Sequence, residues 1–160
     1  MHNTRNDLPA RSRVKVIASL NARLADAIDL GAQAKHAHWN VKGPNFIALH
    51  ELFDKVAESV EEHIDELAER ITALGGTAYG TIAAAARASC LTPYPEDIVE
   101  GLAHVDALAA ALAQFGNKIR KAIDETGKLG DADTADLYTG ISRETDKYLW
   151  FLEAHLQSGR

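Results

Sequence analysis

One apolar stripe constrains this chain more than any other feature. Phe46, Leu49, Phe53, Val56, Val60, Ile64, Leu67, Ile71 and Leu74 follow one another at steps of three and four without a break. That spacing is one face of a helix of about eight turns and cannot be laid out as a strand, whose faces alternate every second residue. Weaker versions recur on either side, at Ile17, Leu20, Leu24 and Ile28, at Ile98, Leu102, Val105, Leu112, Phe115 and Ile119, and at Leu137, Ile141, Tyr148 and Leu152. Four long helices, each with one face to bury, point to a helical bundle.

The breaks divide the chain legibly. Gly43-Pro44-Asn45 separates the first helix from the second, Gly75-Gly76 ends the second, and the stretch from Gly127 to Gly130 separates the third from the fourth. Pro93 and Pro95, followed by Glu96 and Asp97, read as the entry to the third. The expected helices are 10–41, 45–74, 96–126 and 131–157, preceded by a flexible arm at 1–9; the bundle domain spans 10–160. Two connections are short, so the helices they join are antiparallel. The third, 75–95, is long, and Ala83 to Ala88 suits a short helix within it. This predicts an all-α fold, a ferritin-like four-helix bundle with a long crossover between helices 2 and 3 carrying a short helix. The alternative is a plain up-down bundle with a structureless central loop, which is uncommon at that length in a compact domain.

Bulk properties narrow the function classes. No apolar run reaches the roughly 18–20 residues of a membrane span, and the N-terminus lacks the apolar core of a secretory signal. The single cysteine, Cys90, excludes an intrachain disulfide framework and suits a cytoplasmic setting; it reads as a small loop or packing residue. The net charge of −6 is uneven: Arg5, Arg11, Arg13 and Lys15 against Asp7 give residues 1–15 a balance of +3, leaving −9 on the rest. An acidic body attracts cations and repels nucleic acid, whereas a basic arm does the reverse locally.

Five residues carry the candidate chemistry: His38, His50, Asp54, Asp65 and Glu69. Imidazole with carboxylate is a ligand set for iron, zinc or manganese. His50 and Asp54 are four apart, as are Asp65 and Glu69, so each pair shares a helix face. At about 100° per residue, with Phe46 at zero, these four lie near 40°, 80°, 100° and 140°, away from an apolar stripe centred near 320°. Asp54 and Asp65 are separated by about 16 Å of helix, too far for one metal within one chain. Two antiparallel copies of the helix across a two-fold axis would bring the His50/Asp54 end of one to the Asp65/Glu69 end of the other. With Glu58, Glu61 and Glu62 nearby, the same stripe also reads as a solvated acidic face, and spacing alone leaves both readings open. No histidine has a glutamate three positions before it, which argues against a di-iron centre of the Glu-x-x-His kind inside the bundle.

The run His38-Trp39-Asn40-Val41-Lys42-Gly43-Pro44-Asn45-Phe46 and then His50-Glu51-Leu52-Phe53-Asp54 closely resembles the Dps family, the DNA-binding proteins from starved cells. His63-Ile64-Asp65-Glu66-Leu67-Ala68-Glu69-Arg70 continues the resemblance. Asp133-Thr134-Ala135-Asp136 and Asp146-Lys147-Tyr148-Leu149-Trp150-Phe151 extend it over nearly the whole chain. It implies a hollow homododecameric mini-ferritin that oxidises Fe(II), preferably with hydrogen peroxide, stores ferric mineral and protects DNA from oxidative damage. His38, His50 and Asp54 match the iron ligands of one subunit, and Asp65 and Glu69 those of its two-fold mate. Trp39 and Trp150 match tryptophans beside that ferroxidase site, where interface packing is a compatible role. Asp133 and Asp136 match residues of an iron-entry pore on the three-fold axis; their ordinary reading is carboxylates favouring the N-terminus of the last helix.

DNA contact is where the pattern loosens. The arm is short and carries arginine more than lysine; Arg5, Arg11, Arg13 and Lys15 are its candidate phosphate contacts, and the last three can already belong to the first helix. Twelve such arms could bind phosphate collectively, against twelve acidic bodies. The competing readings are therefore an iron-oxidising store, cytoplasmic and nucleoid-associated only if the arms bind DNA; a nucleoid-associated DNA-binding protein with secondary iron chemistry; and a structural helical assembly. His2, His36, His104 and His155 have no assigned role, and His63, off the ligand stripe, reads as structural.

Overall fold

A computed structural model describes residues 1–157; residues 158–160 of the domain drawn from sequence lie outside the described residues. The chain forms α1 (Ala10–Asn40), α2 (Phe46–Ala73), α3 (Ile82–Ala88), α4 (Gly101–Lys128) and α5 (Ala132–Leu156), with no strand among the described residues. Packing is closest within the pairs α1–α2 and α4–α5, and α1 joins them by contact with α4. The apolar stripes meet along the bundle axis: Leu20, Leu24 and Leu30 of α1, Phe53, Val56 and Leu67 of α2, Leu108, Leu112 and Phe115 of α4, and Tyr138 and Leu152 of α5 are all buried. Among the described residues no helix is long and apolar enough to cross a membrane.

Two glycines set the ends of α2 and α4 by the same device. Gly75 and Gly130 adopt φ of 82° and 83°, in the left-handed region. After each, the chain turns so that the N–H of the following residue reaches back into the helix: Gly76 N donates to Ile71 O at 2.9 Å, and Asp131 N to Thr126 O at 3.1 Å. These are Schellman closures, which need a residue without Cβ in the left-handed position. Asp131, 4% exposed, then starts α5, its side chain accepting from Thr134 N at 3.0 Å. It also takes a 2.8 Å hydrogen bond from the Arg70 guanidinium on α2, tying the α4–α5 turn to the end of α2.

The long connection is held down along a polar edge of α1. Asn21 donates to Thr77 O and accepts from Tyr79 N; buried Asp26 accepts from Cys90 N at 2.8 Å; Asp29 accepts from Ser89 Oγ; Gln33 donates to Thr92 O. Arg23 and Lys118 offset the charge of Asp26 at 2.9 and 3.8 Å. These bonds make the connection a fixed crossover and not a structureless loop. Cys90, a free thiol, sits exposed within it.

One boundary differs from the sequence reading. The entry to the fourth element was expected at Glu96, after the prolines; α4 begins at Gly101, with Glu100 as its N-cap residue. Residues 98–100 are instead drawn extended against the α1–α2 turn: Lys42 N donates to Val99 O at 3.2 Å, and Lys42 pairs with Glu100 in an isolated parallel bridge. Gly101 then lies so close to α2 that a Cβ on it would stand 2.6 Å from Leu49 Cδ1. A tertiary contact, not local propensity, places the helix start, and Ile98 drops out of the helical stripe.

Candidate metal centre

The end of α1 and the start of α2 bring His38, His50 and Asp54 together. The two histidines exchange hydrogen bonds across the helix pair: His38 Nδ1 lies 2.8 Å from His50 O, and His50 Nδ1 lies 2.8 Å from His38 O. A carbonyl can only accept, so both Nδ1 atoms carry the proton, and a neutral ring then presents its lone pair at Nε2. The rings are stacked, with centroids 3.7 Å apart and planes at 21°, and Phe46 packs on His50 at 5.1 Å. His38 O is available because it falls in the last turn of α1, where carbonyls lack helical partners. The N–H of Lys42 is directed to Val99 instead. Tying the far nitrogen of an imidazole to a carbonyl is how proteins orient a histidine for a metal.

Asp54, one turn along from His50, lies with its Oδ1 3.9 Å from His38 Nδ1. Lys35, which the sequence reading did not single out, donates to the same oxygen at 2.6 Å. That hydrogen bond holds the Asp54 carboxyl below its ordinary range, with the charges of His38, Lys35 and His50 acting in the same sense and desolvation opposing. Lys35 is three residues before His38, on the same face of α1, and that offset is the sequence signal that could have found it.

The other candidate ligands stand apart. Asp65 and Glu69 are exposed on the later half of α2. Asp65 lines an open concavity with Glu58, Glu61 and Glu62. Among the described residues, no three His, Cys, Asp or Glu side chains of the single chain are arranged to hold a metal ion. Trp39 is 69% exposed, with Lys35 Nζ 6.0 Å from its ring centre; together with Asp54, Glu58 and Glu61 it borders a cleft of about 450 Å³. Trp150, on α5, is 62% exposed and lies against Phe151, centroids 5.0 Å apart.

Asp133 and Asp136 line a second cleft, of about 510 Å³, in which Glu62, Glu66 and Glu144 outnumber one basic residue, Arg143. Asp133 reaches toward Arg70 at 3.9 Å. His63 borders that cleft, buried, its Nδ1 3.4 Å from Glu66. Of the basic residues near the N-terminus, Arg5, Arg11 and Lys15 are exposed, whereas Arg13 is half-buried, its Nε and Nη1 atoms without hydrogen-bond partners. The arm is tied to the body: His2 N donates to Gly75 O at 2.7 Å, and Leu8 packs on the core.

Comparison with known proteins agrees with this architecture. A ferritin-like domain family model matches residues 17–160. A DNA protection during starvation protein of Agrobacterium fabrum is 49% identical over 98% of this chain and 96% of its own. The solved Dps structure of Mycobacterium smegmatis superimposes with a TM-score of 0.93 at 34% identity, covering 99% of this chain and 96% of that one. A Dps protein of Vibrio cholerae, described as a member of a broad superfamily of ferritin-like diiron-carboxylate proteins, gives 0.91 at 26% identity over 98% of both chains. The chain belongs to the Dps family of ferritin-like proteins.

Proposed function

We propose that this protein oxidises Fe(II), with hydrogen peroxide as the oxidant, at sites shared between two antiparallel copies of α2. In this reading it is a ferroxidase, and the ferric product is stored as mineral inside a homododecameric shell, removing the reactants that damage DNA. The observation that carries the proposal is the exchanged pair of hydrogen bonds between His38 and His50. It leaves two Nε2 lone pairs free on the neighbours of an ionised Asp54, whose Oδ1 lies 3.9 Å from His38 Nδ1; in this reading the three residues are half of an iron-binding set. Asp65 and Glu69, about 16 Å farther along the helix, supply the other half from a second subunit.

Iron is a substrate here. Imidazole nitrogen orients it and carboxylate oxygen offsets its charge, a combination suited to Fe(II). The Asp133/Asp136 cleft, with three more carboxylates around it, concentrates cations by focusing the field and serves as their entry. Trp39 and Trp150, both exposed in the single chain, border the shared site once the subunits meet.

The test is the initial rate of peroxide-driven Fe(II) oxidation in His50→Ala and Asp54→Ala, each checked for particle mass. A fall of about a hundredfold in a shell of unchanged mass is expected. An unchanged rate in either variant removes that residue from the site, and a monomeric native protein removes the shared site altogether.

A second reading, direct DNA contact, has its own support in exposed Arg5, Arg11 and Lys15. A salt-dependent gel shift lost on deletion of residues 1–13 would establish it; no shift at low salt would leave the iron chemistry as the only protective route.

A further inference from the structure

A second polar group lies inside the bundle, and the iron reading gives it no role. His104 of α4 is fully buried, and its Nδ1 is 2.7 Å from the hydroxyl of Tyr94 in the crossover. The two rings are close to parallel, 6.0 Å between centroids. His36 of α1 meets the Tyr94 ring edge-on at 5.2 Å, and Phe53 of α2 stands 6.4 Å from His104. The group therefore sits where α1, α2, α4 and the crossover converge. His36 is two residues, about 200° of helix, from His38, and Phe53 is the chain neighbour of Asp54.

The protonation states follow from burial. Desolvation holds His104 below the ordinary histidine range; neighbouring His36 acts the same way, and the Ile98 backbone opposes. His104 is thus a neutral base at neutral pH. Burial pushes the Tyr94 phenol well above its ordinary range, so it does not ionise by itself. The 2.7 Å contact fits either direction; the relay takes the tautomer with the ring proton on Nε2, an atom buried without a hydrogen-bond partner, so that the Nδ1 lone pair accepts from the Tyr94 O–H. Such a phenol loses an electron readily only if its proton has somewhere to go, and the receiving base is already at hydrogen-bond distance. Tyr138 is the contrast: it is buried too, but its partner is the Ser19 hydroxyl at 3.1 Å, which is no base.

We propose that Tyr94 and His104 form a one-electron relay that quenches radical oxidants. With hydroxyl radical as oxidant, the electron leaves the Tyr94 phenol and converts HO• to hydroxide. The Tyr94 O–H bond breaks, its proton forms an Nδ1–H bond on His104, and a neutral phenoxyl radical remains beside a histidinium. A small one-electron reductant, such as a thiolate or ascorbate, then returns the electron, and His104 returns the proton. Tyr94 lines a cleft of about 330 Å³ with Gln33, Pro93, Asp106 and Gln114, which gives a small reductant a way to the ring. The relay does not require that iron be the source of the radical, and its test leaves iron out.

The experiment uses the whole iron-free protein and a flash-generated ruthenium(III) tris-bipyridine oxidant, with phenoxyl followed by transient absorption and electron paramagnetic resonance. Formation of the phenoxyl should slow in heavy water, because the proton moves with the electron. Tyr94→Phe should remove most of the signal. His104→Gln, which can hydrogen-bond but cannot take the proton, should slow formation by roughly tenfold or more and make the rate climb with buffer base. A spin trap on the native protein, mapped by peptide mass spectrometry, should mark Tyr94. A full signal in Tyr94→Phe, an unchanged rate in His104→Gln, or adducts confined to other residues would overturn the relay. If His104→Gln does not assemble, the native protein decides alone: no solvent isotope effect, or no adduct at Tyr94, sinks the proposal.

Discussion

At the scale of single residues, four of the five proposed ligands were legible because they share one face of α2, while the groups around them come from other elements. His50 and Asp54 are four apart on α2, and His38 is twelve positions before His50. Lys35, nineteen positions from Asp54, donates to it from α1; its offset of three from His38 puts it on that face of α1, but nothing in α2 announces the contact. The same holds for His104 and Tyr94, which meet across α4 and the crossover. His104 also carries a prediction about pH. Its folded pKa is held down by desolvation, below the ordinary value near 6.5. A buried neutral histidine contributes stability above the unfolded pKa, and that contribution is lost as pH falls through it toward the folded value. Thermal midpoints of native protein and His104→Gln, compared between neutral and mildly acid pH, should show a smaller acid drop in the variant. An equal or larger drop would mean that His104 does not titrate with folding.

The elements followed their sequence signals wherever punctuation was local. Gly75-Gly76 and the Gly127–Gly130 stretch ended α2 and α4 where expected, because a left-handed glycine is a local requirement. The start of α4 was misplaced by five residues because residues 98–100 answer to Lys42, more than fifty positions away. The most consequential element boundary is the α4–α5 turn. Asp131 closes α4, caps α5, accepts from Thr134 Oγ1 at 2.6 Å and holds Arg70. Asp131→Ala removes a cap and leaves a mostly buried guanidinium with only the exposed Asp133 carboxylate at 3.9 Å, a loss of about 3 kcal/mol. Chemical denaturation should show it as a lower midpoint with an unchanged slope. A change under about 1 kcal/mol would place Asp131 among ordinary surface ion pairs.

For the whole molecule, the proposed ligands require more than one chain, since residues separated by about 16 Å of helix cannot meet at one metal. The fold agrees with the Dps relatives from end to end, and the shared site remains the proposal to be tested on the assembly. One variant lacks His50 and Asp54; a second lacks Asp65 and Glu69. Each alone holds no complete site. Dissociated and reassembled together at random, half the dimers are mixed, and each mixed dimer has one intact site of two. Peroxide-driven oxidation should therefore return to about a quarter of the native rate, given an isologous interface. Activity in either variant alone, or none after mass spectrometry has verified mixing, would mean that the ligands do not meet across the interface.

The exchanged hydrogen bonds between His38 and His50 bear on how such a site tolerates change. Each ring is aimed by the backbone oxygen of the other residue, and each ring supports the other by stacking. Losing one side chain removes a donor atom and strips the survivor of its stacking partner, although the carbonyl that aims the surviving ring stays. Losing the second removes a donor already without that stacking support. Zinc affinity in His38→Ala, His50→Ala and the double variant should be non-additive, the double loss falling short of the sum of the single losses by about 1 kcal/mol. The same coupling predicts that relatives keep or lose the two histidines together, and relatives that hold only one of them would overturn it.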